Sequence, residues 1–314
     1  MGKLAQRAIK RLGLSGTPLP HDLRDAWAIY RFLDASVFDP TFNSFKHRYV
    51  EWGGYLNKEP KAWRNVDEFN RKFYSIAYRV TKEQALPDLP PQLDQSLYCE
   101  LSPPGARAYR DLEEQFITWL GETPAELLTV ANALVLLLRL QQLTGGTLKD
   151  DAGTEHRIDS SKEDLLADWL GDLPEDEPVV VFARFTSDLD AIQRACLKAG
   201  RAHAEVSGRS HHGITEWKAG KAQVLAVQIQ VGAEGQDFTR SRYCVFYSFG
   251  FSLSQYQQAR DRLHRPGQTR PVFYYHLLVR DTIDERILRA IENRAEMIET
   301  ILKELTPCKT IRIS

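Results

Sequence analysis

The chain has 314 residues, 43% of them hydrophobic and 26% charged, which is enough for two domains with ordinary cores and excludes a disordered or fibrous chain. Lys+Arg 41 against Asp+Glu 42 leaves a net charge of −1, so no global basic field marks a polyanionic partner. Four scattered cysteines without a CxxC pair argue against a disulfide framework or a zinc site and fit a reducing compartment. No apolar run approaches the length needed to cross a bilayer, and no apolar segment follows the first residues, so the expectation is a cytoplasmic protein with no membrane partner.

Taken in chain order, Leu12-Gly13-Leu14-Ser15-Gly16-Thr17-Pro18 reads as a short strand ending in a tight polar turn, followed by a helix over 22–33. One strand and one helix bury no sheet alone, so residues 1–33 read as the end of a larger domain. Residues 34–148 read as a mostly helical insertion and linker region. Within it, positions 41–80 interleave aromatics with bases, among them Phe42, Phe45, Lys46, Trp52, Trp63, Arg64 and Tyr74. Two readings stand side by side: a surface that touches a nucleic-acid backbone, or an aromatic core with a basic exterior. Pro87, Pro90 and Pro91 mark a hinge, and further helices follow over 98–119 and 127–143. Residues 149–178 form an acidic connection, with eleven acids against three bases between 149 and 177, and Leu165, Leu166, Trp169 and Leu170 give it one short amphipathic helix.

Residues 179–314 carry the clearest pattern. Apolar strands are predicted over 179–182, 202–206, 224–229, 243–247 and 272–278, with a helix from about Ser187 to Gly200 and a long terminal helix over 283–305. Strands alternating with helices argue for a parallel sheet flanked by helices, with ligand loops at the carboxyl ends of the strands. Between Arg240 and Arg280 lie seven arginines and a single acid, Asp261. The guanidinium fork suits phosphate oxygens, although a solvated charged face is the plain alternative.

Three loops carry candidate chemistry. Gln258, Arg262 and Arg265 are spaced to share one face if the helix continues to Pro266-Gly267, and two arginines with an amide suit the charge of a phosphoryl transition state. Gln230-Val231-Gly232-Ala233-Glu234-Gly235-Gln236-Asp237-Phe238 follows a strand; its glycines let backbone N–H groups approach a phosphate or ribose, and Asp237 is suited to accept from a hydroxyl. The turn of Ser15, Gly16, Thr17 and Pro18 is the third. His203, His211 and His212 lack acids or cysteines at ligand spacing, so no metal site is expected.

Together these loops resemble the Swi/Snf-related helicase-like ATPases of helicase superfamily two, in their compact phage and prophage form. Residues 14–19 are similar to motif III, Arg184-Phe185 to motif IV, 232–238 to motif V, and Gln258-Ala259-x-x-Arg262-x-His264-Arg265-x-Gly267-Gln268 to motif VI; Leu140 to Gly146 also fits the phage style. The resemblance implies a RecA-like second lobe over 179–314, arginine fingers at Arg262 and Arg265, and ATP contacts from Gly232, Gly235, Asp237 and Gln258. It further implies coupling through residues 15–18, nucleic-acid contact through Arg184, Arg240 and Arg242, and translocation on double-stranded DNA in a bacterial or phage-infected host. Departures are Gln230, Glu234 and Asp237 in motif V and His21 after motif III. No G-x-x-x-x-G-K-[ST] loop and no Asp-Glu-x-His box occurs in the sequence, so the expectation is a C-terminal half whose ATP and magnesium are held by an N-terminal lobe in cis or trans. Asp67-Glu68 and Asp284-Glu285 read as solvated look-alikes of that box. The alternative is a non-catalytic remnant that binds DNA or a protein.

Overall fold

The computed structural model describes residues 7–16, 18–19, 22–53, 59–122, 130–149, 153–210, 212–232 and 235–303. Two units emerge, the first from residues 1–85, 252–254 and 291–314, the second from 86–251 and 255–290.

The first unit begins with α1 (Arg24–Leu33), whose start is fixed by Asp22: its carboxylate accepts from the Arg24 N–H at 2.9 Å, and Asp25 accepts from the Asp22 N–H at 3.1 Å. Then come α2 (Phe42–Tyr49), β1 (Val50–Gly53), β2 (Glu59–Trp63), α3 (Val66–Phe73) and the single turn α4 (Lys82–Ala85). Strands β1 and β2 pair antiparallel, with a bulge between Glu51 and Trp52. Tyr30, Phe38, Phe45, Tyr49, Phe69 and Phe73 form one buried aromatic cluster. Phe38 meets Phe45 edge-on and stacks on Phe69, each at 5.3 Å, the geometries aromatic quadrupoles favour. Of the two readings of 41–80, the aromatic core is the one these contacts support; Lys46 lies outside it, over the rings of Phe42 and Trp52. Residues 11–15 form no strand, contrary to expectation. Leu12 and Leu14 are 79% and 88% exposed, and no strand among the described residues pairs with them.

The second unit contains β3 (Gln92–Cys99), α5 (Pro103–Glu122), α6 (Val130–Thr144), the hairpin β4 (Thr147–Lys149) and β5 (Glu155–Arg157), α7 (Ser161–Gly171), β6 (Val179–Ala183), α8 (Thr186–Lys198), β7 (His203–Val206), α9 (Gly213–Lys218), β8 (Val224–Gln228), the single turn α10 (Ile229–Gly232), β9 (Tyr243–Phe246), α11 (Leu253–Arg260) and β10 (Val272–Val279). Six strands form one parallel sheet in the order β3-β10-β9-β6-β8-β7. The long helix α12 (Ile283–Lys303) starts in this unit; its later residues Met297 and Ile298 pack on the aromatic cluster of the first. Central strand β6 is buried at every position, as a strand covered on both faces must be. Ile192, Cys196, Leu166 and Leu170 cover the core under α7 and α8, whereas Leu197 of α8 is 70% exposed.

The prolines at 87, 90 and 91 lead directly into β3, which the sequence pattern hides inside an expected helical region. An edge strand with four exposed residues at its start carries little apolar signal, yet all eight of its residues pair with β10. No helix among the described residues is long and apolar enough to cross a membrane.

Candidate functional site

The chain runs from β6 through α8, β7 and α9 to β8 on one side of β6, then to β9 on the other, so the strand order reverses beside β6. Crevices at such switch points are the usual ligand sites of parallel sheets. Here the carboxyl ends of β6 and β9 are joined by a polar network. The Arg184 N–H donates to Ser248 Oγ at 2.8 Å, and Ser248 Oγ in turn donates to Asp188. The Arg184 guanidinium donates to Gln141 Oε1 at 2.5 Å, while Gln141 Nε2 donates to the Phe249 carbonyl. Burial pushes the Asp188 carboxyl up to about 6, against the hydrogen bond from Ser248 and the charge of Lys162. Its Oδ1 makes no hydrogen bond. Gly145 lies so close that an added Cβ would sit 2.3 Å from that oxygen. Sequence reasoning assigned no role to Gln141, Asp188 or Ser248. The run Leu140 to Gly146 was the one available signal.

The loop after β8 and the turn after α11 meet. The Phe238 N–H donates to the Arg262 carbonyl at 3.0 Å, and Arg265 Nη1 donates to the Gln236 carbonyl at 3.4 Å. Gly235 adopts φ +68°, a conformation that costs an L side chain and suits glycine. Burial alone would raise the Asp237 carboxyl; hydrogen bonds from Thr239 and the charge of Arg265 outweigh it and hold the group below the usual carboxylate range. Gly232 ends α10, and residues 233–234 lie outside the described residues.

Helix α11 stops at Arg260 and does not reach Pro266. The Arg260 carbonyl accepts from the N–H groups of Leu263 and His264, both at 3.1 Å, and from the Tyr274 hydroxyl at 2.9 Å, which caps the helix end. Gln258 therefore lies on the helix, while Arg262 and Arg265 lie on the turn beyond it. The shared helical face expected for the three is absent; the turn brings the two arginines beside residues 236–238 instead. Gln268 Nε2 donates to the Ser241 carbonyl at 2.9 Å and closes the turn.

The three arginines expected to touch nucleic acid each have partners within the chain. Arg184 is held by Gln141. Arg240 donates to the Trp217 and Ala222 carbonyls and lies over the Trp217 ring. Arg242 pairs with Glu177 at 3.4 Å and covers Tyr243. Of the 15–18 turn, Thr17 lies outside the described residues; Ser15 and Gly16 are exposed and Pro18 is half-buried. Asp284, expected to be solvated, is buried: it accepts from Lys162 Nζ at 2.5 Å, Thr144 Oγ1 at 2.9 Å and the Val279 N–H at 3.2 Å. Among the described residues no group of three or more His, Cys, Asp or Glu is placed to hold a metal ion. The donor set of the 235–265 region, guanidinium groups and backbone N–H, suits an anion.

Comparison with known proteins matches both halves of the chain to helicase-type domains. Residues 4–145 match the profile of the SNF2-related domain, and residues 161–267 match that of the helicase conserved C-terminal domain. The chain thus carries an SNF2-related domain together with a helicase C-terminal domain, and the first match runs well beyond residue 33. An uncharacterized ATP-dependent helicase of Mycoplasma genitalium is 23% identical over 93% of this chain and 28% of its own length. The putative protein p41 of Acyrthosiphon pisum secondary endosymbiont phage 1 is 25% identical over 97% of this chain and 66% of its own. Chromodomain-helicase-DNA-binding protein 1-like of Danio rerio is 25% identical over 94% and 29%. The chain thus spans under a third of the two cellular relatives and about two thirds of the phage protein. Among solved structures, the Sulfolobus solfataricus SWI2/SNF2 ATPase core domain superposes with a TM-score of 0.52 at 19% identity, over 90% of this chain and 58% of that one. The C-terminal part of the Fun30 ATPase domain gives 0.52 at 16% identity, over 69% and 98%.

Proposed function

We propose that this chain supplies the arginine-bearing lobe of a DNA-dependent ATPase that translocates along double-stranded DNA. The observation that carries the reading is the meeting of the 235–238 loop with the Arg262–Arg265 turn on one parallel sheet. Arg262 and Arg265 act as fingers on the γ-phosphoryl group, where such a group is worth about 10³–10⁵ in rate, or about 4–7 kcal/mol. Gly232, Gly235, Asp237 and Gln258 face the nucleotide, and the 15–18 turn couples nucleotide state to DNA grip. ATP supplies the transferable phosphoryl group with magnesium as its counter-ion; the groups that hold them belong to a lobe outside this sequence, in cis or in trans, because no phosphate-binding lysine loop occurs within it. DNA contact through Arg184, Arg240 and Arg242 requires each to share its present partner with a phosphate.

The test is Arg262→Ala in the chain joined to a lobe carrying a phosphate-binding loop. DNA-stimulated ATP hydrolysis is expected to fall by about 10³ or more, with DNA affinity nearly unchanged. Unchanged turnover would overturn the finger assignment. A lack of turnover in every pairing, with salt-sensitive DNA binding retained, would favour a non-catalytic DNA-binding module.

A further inference from the structure

The turn that carries Arg262 and Arg265 is fastened at both ends to one short segment, residues 90–94, immediately after the chain leaves the first unit. At its start, the Arg260 guanidinium grips Asp94 with two hydrogen bonds, one of them 2.8 Å, and reaches Gln92 Oε1 at 3.3 Å. At its far end, His264 Nε2–H donates to the Pro90 carbonyl at 2.7 Å. The guanidinium cannot swing away easily: it lies 3.9 Å from the Tyr274 ring centroid and donates to the Tyr256 hydroxyl at 2.9 Å. The Asp94 side chain is 48% exposed and Arg260 17%. Strand β3 is already held by β10 along all eight residues, so the pair is not needed for register. What the two fastenings do fix is the position of residues 261–264 relative to the segment entering the lobe.

We infer that Asp94 and Arg260 are positioning residues that latch the finger turn to the 90–94 segment, so that the strand entering the lobe sets where Arg262 and Arg265 point. The inference rests on the finger reading above for its consequence in turnover, but the latch itself is a property of this chain alone. Bidentate Arg–carboxylate geometry makes it directional, and an amide at position 94, uncharged and with one acceptor oxygen replaced by a donor, suffices to loosen it.

The experiment compares Asp94→Asn and Asp94→Glu in the full chain by amide hydrogen exchange, and in the chain joined to a phosphate-binding lobe by ATPase kinetics. Asp94→Asn is expected to speed exchange at the amides of residues 261–264 while leaving those of β6 and β9 unchanged. It is also expected to lower kcat by about tenfold with KM for ATP unchanged, since a displacement near 1 Å can cost about a hundredfold. Asp94→Glu restores both. Unaltered exchange at 261–264 overturns the latch whatever the kinetics show. Faster exchange with unaltered kcat, where Arg262→Ala does abolish turnover, overturns its positioning role. If Arg262→Ala has no effect either, the finger reading is what fails, and the exchange data still decide the latch.

Discussion

At the scale of single residues, two buried titratable groups pull the pH dependence of stability in opposite directions. Asp188 is pushed from 3.8 to about 6 by burial, so the folded chain binds an extra proton between those values and stability from this group falls as pH rises through them. His276, packed against Phe246 and hydrogen-bonded to the Tyr256 hydroxyl, is lowered by burial from 6.5 to about 4. The folded chain then binds fewer protons between 4 and 6.5, and stability from this group rises with pH over that window. The two slopes oppose each other, so urea midpoints of the native chain should vary weakly on their account. Asp188→Asn should expose the histidine slope, with midpoints climbing from pH 4 to 6.5. His276→Gln should expose the aspartate slope, with midpoints falling from pH 4 to 6. Profiles unchanged by either substitution would show that burial does not control these groups.

At the scale of elements, Lys162 in α7 and Asp284 in α12 are only 2% and 5% exposed in their side chains and tie together α6, α7, α12 and the end of β10. Breaking one partner of a buried pair leaves an uncompensated charge and costs about 3–5 kcal/mol. Lys162→Met should therefore lower the unfolding free energy by that amount in urea denaturation, whereas a loss below about 1 kcal/mol would mean that water reaches Asp284. Glu163, its neighbour in α7, is also buried and receives Arg157, Arg194 and Lys198 within 3.1 Å. The stretch read from sequence as an acidic connection thus contains two of the buried ionic ties of the second unit. Element ends are set in the same way: the Tyr274 hydroxyl, on a strand more than ten residues further along, helps to end α11 at Arg260.

For the whole molecule, the sequence contains Arg262 and Arg265, proposed above as fingers, and no phosphate-binding lysine loop. Residues 1–314 by themselves should then release no phosphate from ATP above background, with or without DNA, in a coupled phosphate assay. DNA-stimulated release by the chain alone, abolished by Arg262→Ala, would place the phosphate-holding groups within it and overturn the requirement for a further lobe. DNA binding belongs to this scale as well. Of the seven arginines between 240 and 280, Arg240, Arg242, Arg260 and Arg270 hold carbonyls or carboxylates of the chain, and Arg280 covers the Tyr98 ring. Most of the basic patch therefore also holds parts of the chain together, and a phosphate at Arg240 or Arg242 shares the guanidinium with its present partner.

Period and punctuation in the sequence determined the five strands from β6 to β10, the helix α8 and the motif order from which the family was read, because buried parallel strands are continuous apolar runs that few other structures tolerate. Spacing likewise put Arg262 and Arg265 together in one short stretch. Tertiary structure decided what those stretches touch. A polar edge strand, β3, is recognisable only by its pairing with β10, and the Leu12–Leu14 stretch, apolar enough to read as a strand, finds no partner among the described residues. Arg262 and Arg265 sit on a turn instead of a helical face, where the helix ends at Arg260 and a tyrosine from another strand caps the Arg260 carbonyl. Hydrogen-bond partners distant in sequence leave no periodic trace, and for that reason the local pattern carried the family while the fold alone decided the geometry of the site.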